Sequence, residues 1–337
     1  MDLSIYPEVS AWHPWRLADE RRRQAVALWH ENKLAEANEL FLAVLKSTPE
    51  FPFTWSTYHR FLHCLSGNVG RSVDPVILVP KSDFFQSFQM YSFFDRCQVG
   101  RMVRARGWNS FEAPCPLVLA RWFRAVGGLF CDVGASSGYY SLLALACGAS
   151  DVIALDPYPP AVDVLRSNIE LNGWVDRVDV RQVAASDSSG RTRLFLPLQT
   201  HELLETSASQ DAAFRDQHSL EFDAVSQTLD SIVLDKLGSR ALTIKIDIEG
   251  LDPTLRTLAG AGEVIRRHRP LIMMEYLSGP AEPLIKLLDE VDYSSVLCLA
   301  DGNISEEERI APHDAQPNHF LIPRELIPRF RSAICET

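Results

Sequence analysis

Two stretches of this chain have residue types and spacing that could do chemistry, Asp132-Val133-Gly134-Ala135-Ser136-Ser137-Gly138 and Lys245-Ile246-Asp247-Ile248-Glu249-Gly250. In the first, an acid ends an apolar run, Leu129 to Cys131, and two glycines follow four residues apart. Glycine permits positive φ and a close ligand approach, and a helix starting there offers unpaired N–H groups. A dinucleotide turn needs Gly-x-Gly-x-x-Gly, which from Gly134 requires glycine where the chain has Ser136 and Tyr139. What remains is Asp-x-Gly-x-x-x-Gly. Its acid can hold an ammonium group directly or through water, a charge-assisted bond for which a pyrophosphate has no use. A second acid, Asp156, ends the apolar run from Val152 and can accept both hydroxyls of a ribose. The alternative reading of Asp156 is a helix N-cap ahead of Pro159 and Pro160.

In the second stretch Lys245 and Asp247 are two apart, so on a strand they share a face opposite Ile244 and Ile246. A lysine and an aspartate in a buried strand are expensive unless paired. They are either an ion pair bracing the sheet or reactive groups at its carboxyl end. In the reactive reading, Asp247, Glu249 or both deprotonate an acceptor hydroxyl while Lys245 sets their charge, and Glu275 is a further candidate facing substrate. Mg²⁺ at Asp247 and Glu249 is the less favoured use of the same carboxylates. His59 and His63, four apart, have a metal-binding spacing, but with Trp55, Tyr58 and Phe61 around them they read as packing histidines. No metal site is expected.

These residues need a scaffold that brings strand ends together. From 116 onward strands and helices alternate, with strands expected near 129–133, 151–156, 178–183, 241–247, 271–276, 294–299 and 318–322 and helices at 137–147, 160–172, 251–259 and 281–290. Such alternation means an α/β fold with a mostly parallel, seven-stranded sheet. The last two strands are expected to close it as an antiparallel hairpin. Extended segments at 191–196 and 220–229 make an excursion around a polar insertion, 202–217. Before this α/β unit, 116–330, lie a helical unit, 1–70, and an aromatic-rich connector or lid, 71–115. The spacing Ala37, Phe41, Val44, Pro49 resembles the second helix of a tetratricopeptide repeat. Within 71–111 we expect a helix laying Phe84, Phe85, Phe88, Tyr91, Phe93 and Phe94 on the next unit, with Arg96, Arg101, Arg104 and Arg106 as a local basic run.

The chain's 337 residues are 46% hydrophobic and 23% charged, with a net charge of −11. Residues 1–125 hold 15 Lys/Arg against 12 Asp/Glu, and the remainder 18 against 32. The acidic half contains both reactive stretches, which disfavours a nucleic-acid partner. Seven dispersed cysteines without a Cys-x-x-Cys argue for free thiols rather than disulfides or zinc. With no apolar run long enough for a bilayer and no secretory-type start, a cytoplasmic protein without a membrane partner is expected.

The ordered series Asp132-Val133-Gly134-Ala135 with Gly138-Tyr139-Tyr140-Ser141, Val183-Ala184-Ala185-Ser186-Asp187, Thr228-Leu229-Asp230, Lys245 to Gly250, Pro270 to Glu275 and Asn318 to Pro323 resembles the FkbM family of methyltransferases. The resemblance covers about 108–323. It implies a class I, Rossmann-like domain that uses S-adenosylmethionine, releases S-adenosylhomocysteine, and methylates a hydroxyl on a small molecule such as a natural product or sugar. It also implies a cofactor set of Asp132, Gly134, Ala135, Ser136, Ser137, Gly138, Tyr139, Asp156, Ala185 and Asp247. The family usually has Asn at the position of Ser136 and an apolar residue at that of Ser137. The run Asp156-Pro157-Tyr158-Pro159-Pro160 is not the Asp-Pro-Pro-Tyr of amino-group methyltransferases, which follows the fourth strand. Two other readings stay open: a nicotinamide-dependent oxidoreductase, and an interaction scaffold whose N-terminal helices dock a protein partner or a second copy.

Overall fold

The computed structural model describes residues 16–47, 58, 61, 76–91, 97–197, 208–211, 218–298, 304–313 and 316–335. Helices α1 (Arg16–His30) and α2 (Leu34–Ser47) form a hairpin. The apolar spacing on α2 explains its packing. Ala37 and Phe41 bury against Ala25 and Val26 of α1, while Val44 and Ala18 face Tyr158, Leu194, Leu196 and Phe222 of the α/β unit. The hairpin therefore buries one stripe on itself and another on that unit. Pro49, His59 and His63 lie outside the described residues.

The connector does not form the expected aromatic helix. It is a ribbon of β1 (Val76–Val79) antiparallel to β2 (Phe88–Tyr91), followed by α3 (Gln98–Arg106). Val-Ile-Leu-Val and Phe-Gln-Met-Tyr carry β-formers without helical spacing. The free edge of β2 is satisfied by side chains: Asn172 Oδ1 accepts from Gln89 N at 2.8 Å and Asn168 Oδ1 from Tyr91 N at 2.9 Å. Phe85, Phe88, Met90 and Tyr91 join the same core as the α/β unit, so the aromatic content does seal an interface. Arg101, Arg104 and Arg106 are exposed, whereas Phe93, Phe94 and Arg96 lie outside the described residues.

The α/β unit runs α4 (Cys115–Val126), β3 (Leu129–Val133), α5 (Tyr139–Ala146), β4 (Asp151–Leu155), α6 (Pro159–Leu171), β5 (Val178–Arg181), β6 (Ala184–Ala185), β7 (Gly190–Pro197), β8 (His218–Gln227), α7 (Leu229–Leu237), β9 (Leu242–Ile246), α8 (Leu251–Ala259), α9 (Gly262–His268), β10 (Leu271–Glu275), α10 (Glu282–Val291), β11 (Tyr293–Cys298), β12 (Ile304–Glu307), β13 (Asn318–Pro323) and α11 (Ile327–Cys335). The main sheet has the order β12-β11-β13-β10-β9-β3-β4-β5. β5, β4, β3, β9 and β10 run parallel to one another, and β13 lies antiparallel between β10 and β11. The seven expected strands are thus present, closing hairpin included, and β12 adds an eighth at the edge. The segment expected as one strand, 178–183, ends at Arg181. Ala184 and Ala185 leave it to join β7 and β8 in a separate three-stranded sheet.

Alternate residues of β3 and β9 enter different cores. Leu129, Cys131, Val133, Ile244 and Ile246 face α7 to α9 and Phe130 faces the opposite layer, so this is a three-layer α/β fold. Succession along the sheet reverses between β3 and β9, the switch point where such folds bind ligands beyond the strand ends. Thr228-Leu229-Asp230 turns out to be capping chemistry. Thr228 Oγ1 accepts from Ser231 N, and the Asp230 carboxylate accepts from Glu263 N and Val264 N at the start of α9. Cysteines 97, 115, 131, 147 and 298 are buried. Among the described residues no helix is long and apolar enough to cross a membrane.

Candidate active site

At the switch point a cavity of about 380 Å³ opens over the carboxyl ends of β3, β4 and β9. Of the residues singled out in the sequence, Gly134, Ala135, Ser136, Ser137, Tyr139, Asp156, Ala185, Lys245, Asp247, Glu249 and Glu275 all line it. Asp132 and Gly138 lie behind its wall.

The turn is built by packing as much as for a ligand. Gly134 has φ 76° and Gly138 φ 82°. A Cβ on Gly134 would meet the Asp247 carbonyl oxygen at 1.9 Å, and one on Gly138 would meet Leu165 Cδ1 at 2.5 Å. The glycines thus let β3 and β9 close together and α6 seat on the turn. Between them Ser136 holds φ 48°. That left-handed conformation suits asparagine better than serine. Ser136 N donates to Asp156 Oδ2 at 3.0 Å and Tyr158 N to Asp156 Oδ1 at 2.9 Å. Asp156 is therefore not the N-cap of α6; that position is Tyr158. Each Asp156 oxygen keeps a second lone pair for a ligand hydroxyl. Burial raises this carboxyl to about 6 against the pull of those two N–H groups.

Under the turn runs a buried ionic line. Asp132 and Lys245 are register neighbours on β3 and β9. Lys245 Nζ lies 2.7 Å from Asp247 Oδ2 and 3.8 Å from Asp132 Oδ1, over the Tyr140 ring. Asp132 Oδ2 accepts from Ser141 Oγ at 2.6 Å. Burial alone would lower the lysine's pKa, but Asp247, Asp132 and Glu112 outweigh it and hold the ammonium charged. Burial raises Asp132 despite Lys245 and Ser141. Ala185 takes part through its carbonyl, which accepts from Gln210 Nε2 and Thr257 Oγ1, each at 3.1 Å. Ser209 Oγ donates to the Glu249 carbonyl at 2.7 Å, so residues 208–211 of the insertion tie the third strand's exit to the fourth's.

Sequence reasoning missed Glu112. It enters the cavity from the loop before α4, at φ 51°, and its Oε2 accepts from Tyr140 Oη at 2.7 Å. Burial, reinforced by the Asp247 carboxylate and opposed by Lys245, pushes it up to about 7. Burial together with Asp247, Glu249 and Glu112 pushes Glu275 up to about 8. Tyr139, placed in the cofactor set, packs edge-on to Phe111 and donates its hydroxyl to the Trp108 carbonyl. Its side chain thus anchors the same loop that delivers Glu112. The only signal for Glu112 in the sequence is an acid in a proline-rich loop, Phe111 to Pro116, within an otherwise aromatic segment.

Residues 132–294 match the sequence profile of the methyltransferase FkbM domain. That stretch of the chain is similar to an FkbM methyltransferase domain. All three motifs that build the cavity, from Asp132, Asp156 and Lys245, fall inside the matched stretch, while Glu112 precedes it. Short segments are also similar to ribosomal protein L11 methyltransferases, at 49% identity over 47 residues for one from a Geobacter species and 31% over 86 residues for one from Ruminiclostridium cellulolyticum. These cover 14% and 26% of this chain and 15% and 27% of those proteins. Among solved structures, an FkbM methyltransferase from Methylobacillus flagellatus KT is 18% identical over 58% of this chain and 43% of its own, with a TM-score of 0.37. Among the described residues no three His, Cys, Asp or Glu side chains gather as metal ligands. In the matched stretch Asp247 is engaged by Lys245 instead.

Proposed function

We propose that the chain is a methyltransferase that uses S-adenosylmethionine to methylate a hydroxyl group of a small molecule. The observation that carries this reading is the ionic cluster at the switch point, where one lysine is set among Asp132, Asp247, Glu112 and Glu275 beside the Asp156 turn. The donor set fits the cofactor. Asp156 has lone pairs for two ribose hydroxyls, the start of α5 offers N–H groups to a carboxylate, and the acidic cavity suits ammonium and sulfonium charges. Asp132 contributes from behind the wall, through Ser141 and Lys245. Bound there, the cofactor supplies an electrophilic sulfonium methyl.

The protein's own part is to hold the acceptor and take its proton. Asp247, partly exposed at the strand end, faces the cavity from one side and is held in place by Lys245 from the other. With the cofactor bound to supply the methyl group and to keep the sulfur's electron pair, the Asp247 carboxylate would orient the acceptor hydroxyl and take its proton. Glu249 and Glu112 stand within the same cavity. We expect Asp247→Asn to lower turnover by about 10²- to 10⁴-fold, the range for losing a positioned base, with S-adenosylhomocysteine affinity nearly unchanged. Full turnover in Asp247→Asn, read by transfer of labelled methyl to a panel of hydroxylated acceptors, would remove Asp247 from this role.

A further inference from the structure

Next to the cofactor cavity a second concavity, of about 520 Å³, opens along the carboxyl ends of β9 and β10. The segment after β9, from Ile248 to Leu255, forms one wall, and the segment after β10, from Glu275 to Pro280, forms the other. Ile248 and Glu275 line both spaces, so the two adjoin across one shared wall. The walls are fixed: Tyr276 Oη donates to the Gly279 carbonyl and Tyr276 N to the Pro317 carbonyl, each at 2.8 Å. Gly279 also packs so closely on Leu251 that a Cβ there would lie 2.8 Å from Leu251 Cδ2.

The lining has two chemical characters. Ile248, Leu251, Leu255 and Leu277 give it an apolar surface, and Leu277 stays 53% exposed. Its ionisable members are all acidic, Asp211, Asp252 and Glu275, with no lysine or arginine among the described lining residues. Arg256 pairs with Asp252 on the outer side. An apolar body is therefore favoured and an anionic group is opposed.

We propose that this groove is the acceptor site and that it takes an uncharged, hydroxylated molecule with an apolar body, its hydroxyl passing Glu275 at the shared wall to reach Asp247. The inference rests on the methyl-donor reading, because only a donor in the adjoining cavity makes the groove an acceptor site. It also separates this site from one for phosphorylated sugars or nucleic acid, which would bring anions to a lining that has acids and no base among its described residues.

Calorimetric titration of the full chain with three probes, with and without S-adenosylhomocysteine, tests it. The probes are 4-nitrophenyl β-D-glucoside, glucose and 4-nitrophenyl phosphate. The glucoside should bind at least about tenfold more tightly than either of the others, because only it combines both features. Leu277→Lys, at an exposed position that leaves the core intact, should weaken the glucoside about fivefold and strengthen the phosphate. Phosphate binding as tight as that of the glucoside, or no response of either to Leu277→Lys, would overturn the proposal. Failure of S-adenosylhomocysteine to bind would instead remove the donor reading, while the order of the three probes still decides what the groove accepts.

Discussion

Across the carboxyl edge of the sheet, the β3–β4 side and the β9–β10 side hold their acids in different ways. On the first, both oxygens of Asp156 already accept backbone N–H groups, and Asp132 has Ser141 and Lys245. On the second, Glu112 and Glu275 face the cavity with carboxyls pushed up to about 7 and about 8, against an ordinary value of about 4.3. One half is pre-organised by the chain itself. The other gathers carboxyls that a single lysine cannot hold ionised, and a cationic donor with a hydroxylated acceptor would complete it.

The largest test of this contrast is the lysine that joins the halves. Lys245→Met should cost about 3–5 kcal/mol in urea denaturation, since it strands the buried Asp132, and with it the partly exposed Asp247, without their cation. A loss below about 1 kcal/mol would mean the pair braces nothing.

Next comes pH. A carboxyl whose folded pKa is raised keeps its proton where the unfolded chain has released it, so folding stability falls as pH rises through that window. Glu112 and Glu275 place the window from about pH 5 to about pH 8, with Asp156 adding only to its lower part. The Tm of the ligand-free protein should therefore drop across that range, and Glu275→Gln should flatten the drop. A slope unchanged in Glu275→Gln would place the acidity elsewhere. The smallest effect is expected on the pre-organised side. Ser136→Asn puts a residue suited to φ 48° at that position and should raise stability by about 0.5 kcal/mol.

The contrast also explains what could be read from the residues alone. Period-two reasoning placed Lys245 opposite Ile244 and Ile246 and beside Asp247, and the register of β3 on β9 then brought Asp132 in. Strand β3 and helix α8 lie where the apolar pattern put them. Glu112 was illegible because its position depends on a loop conformation and on Tyr140, neither of which leaves a periodic signal. The glycines were legible as a turn, but their crowding against Asp247 and Leu165 follows from tertiary packing. The same holds for the β1–β2 ribbon, whose edge is completed by Asn168 and Asn172 about eighty residues away along the chain.

The central claim, a methyl-donor cavity centred on Asp156, is tested most directly by calorimetric titration with S-adenosylhomocysteine and, separately, NADH. We predict binding of the first only, weakened about 10- to 100-fold in Asp156→Ala by loss of charge-assisted bonds to the ribose. Binding of NADH in place of S-adenosylhomocysteine, or equal S-adenosylhomocysteine affinity in Asp156→Ala, would contradict it.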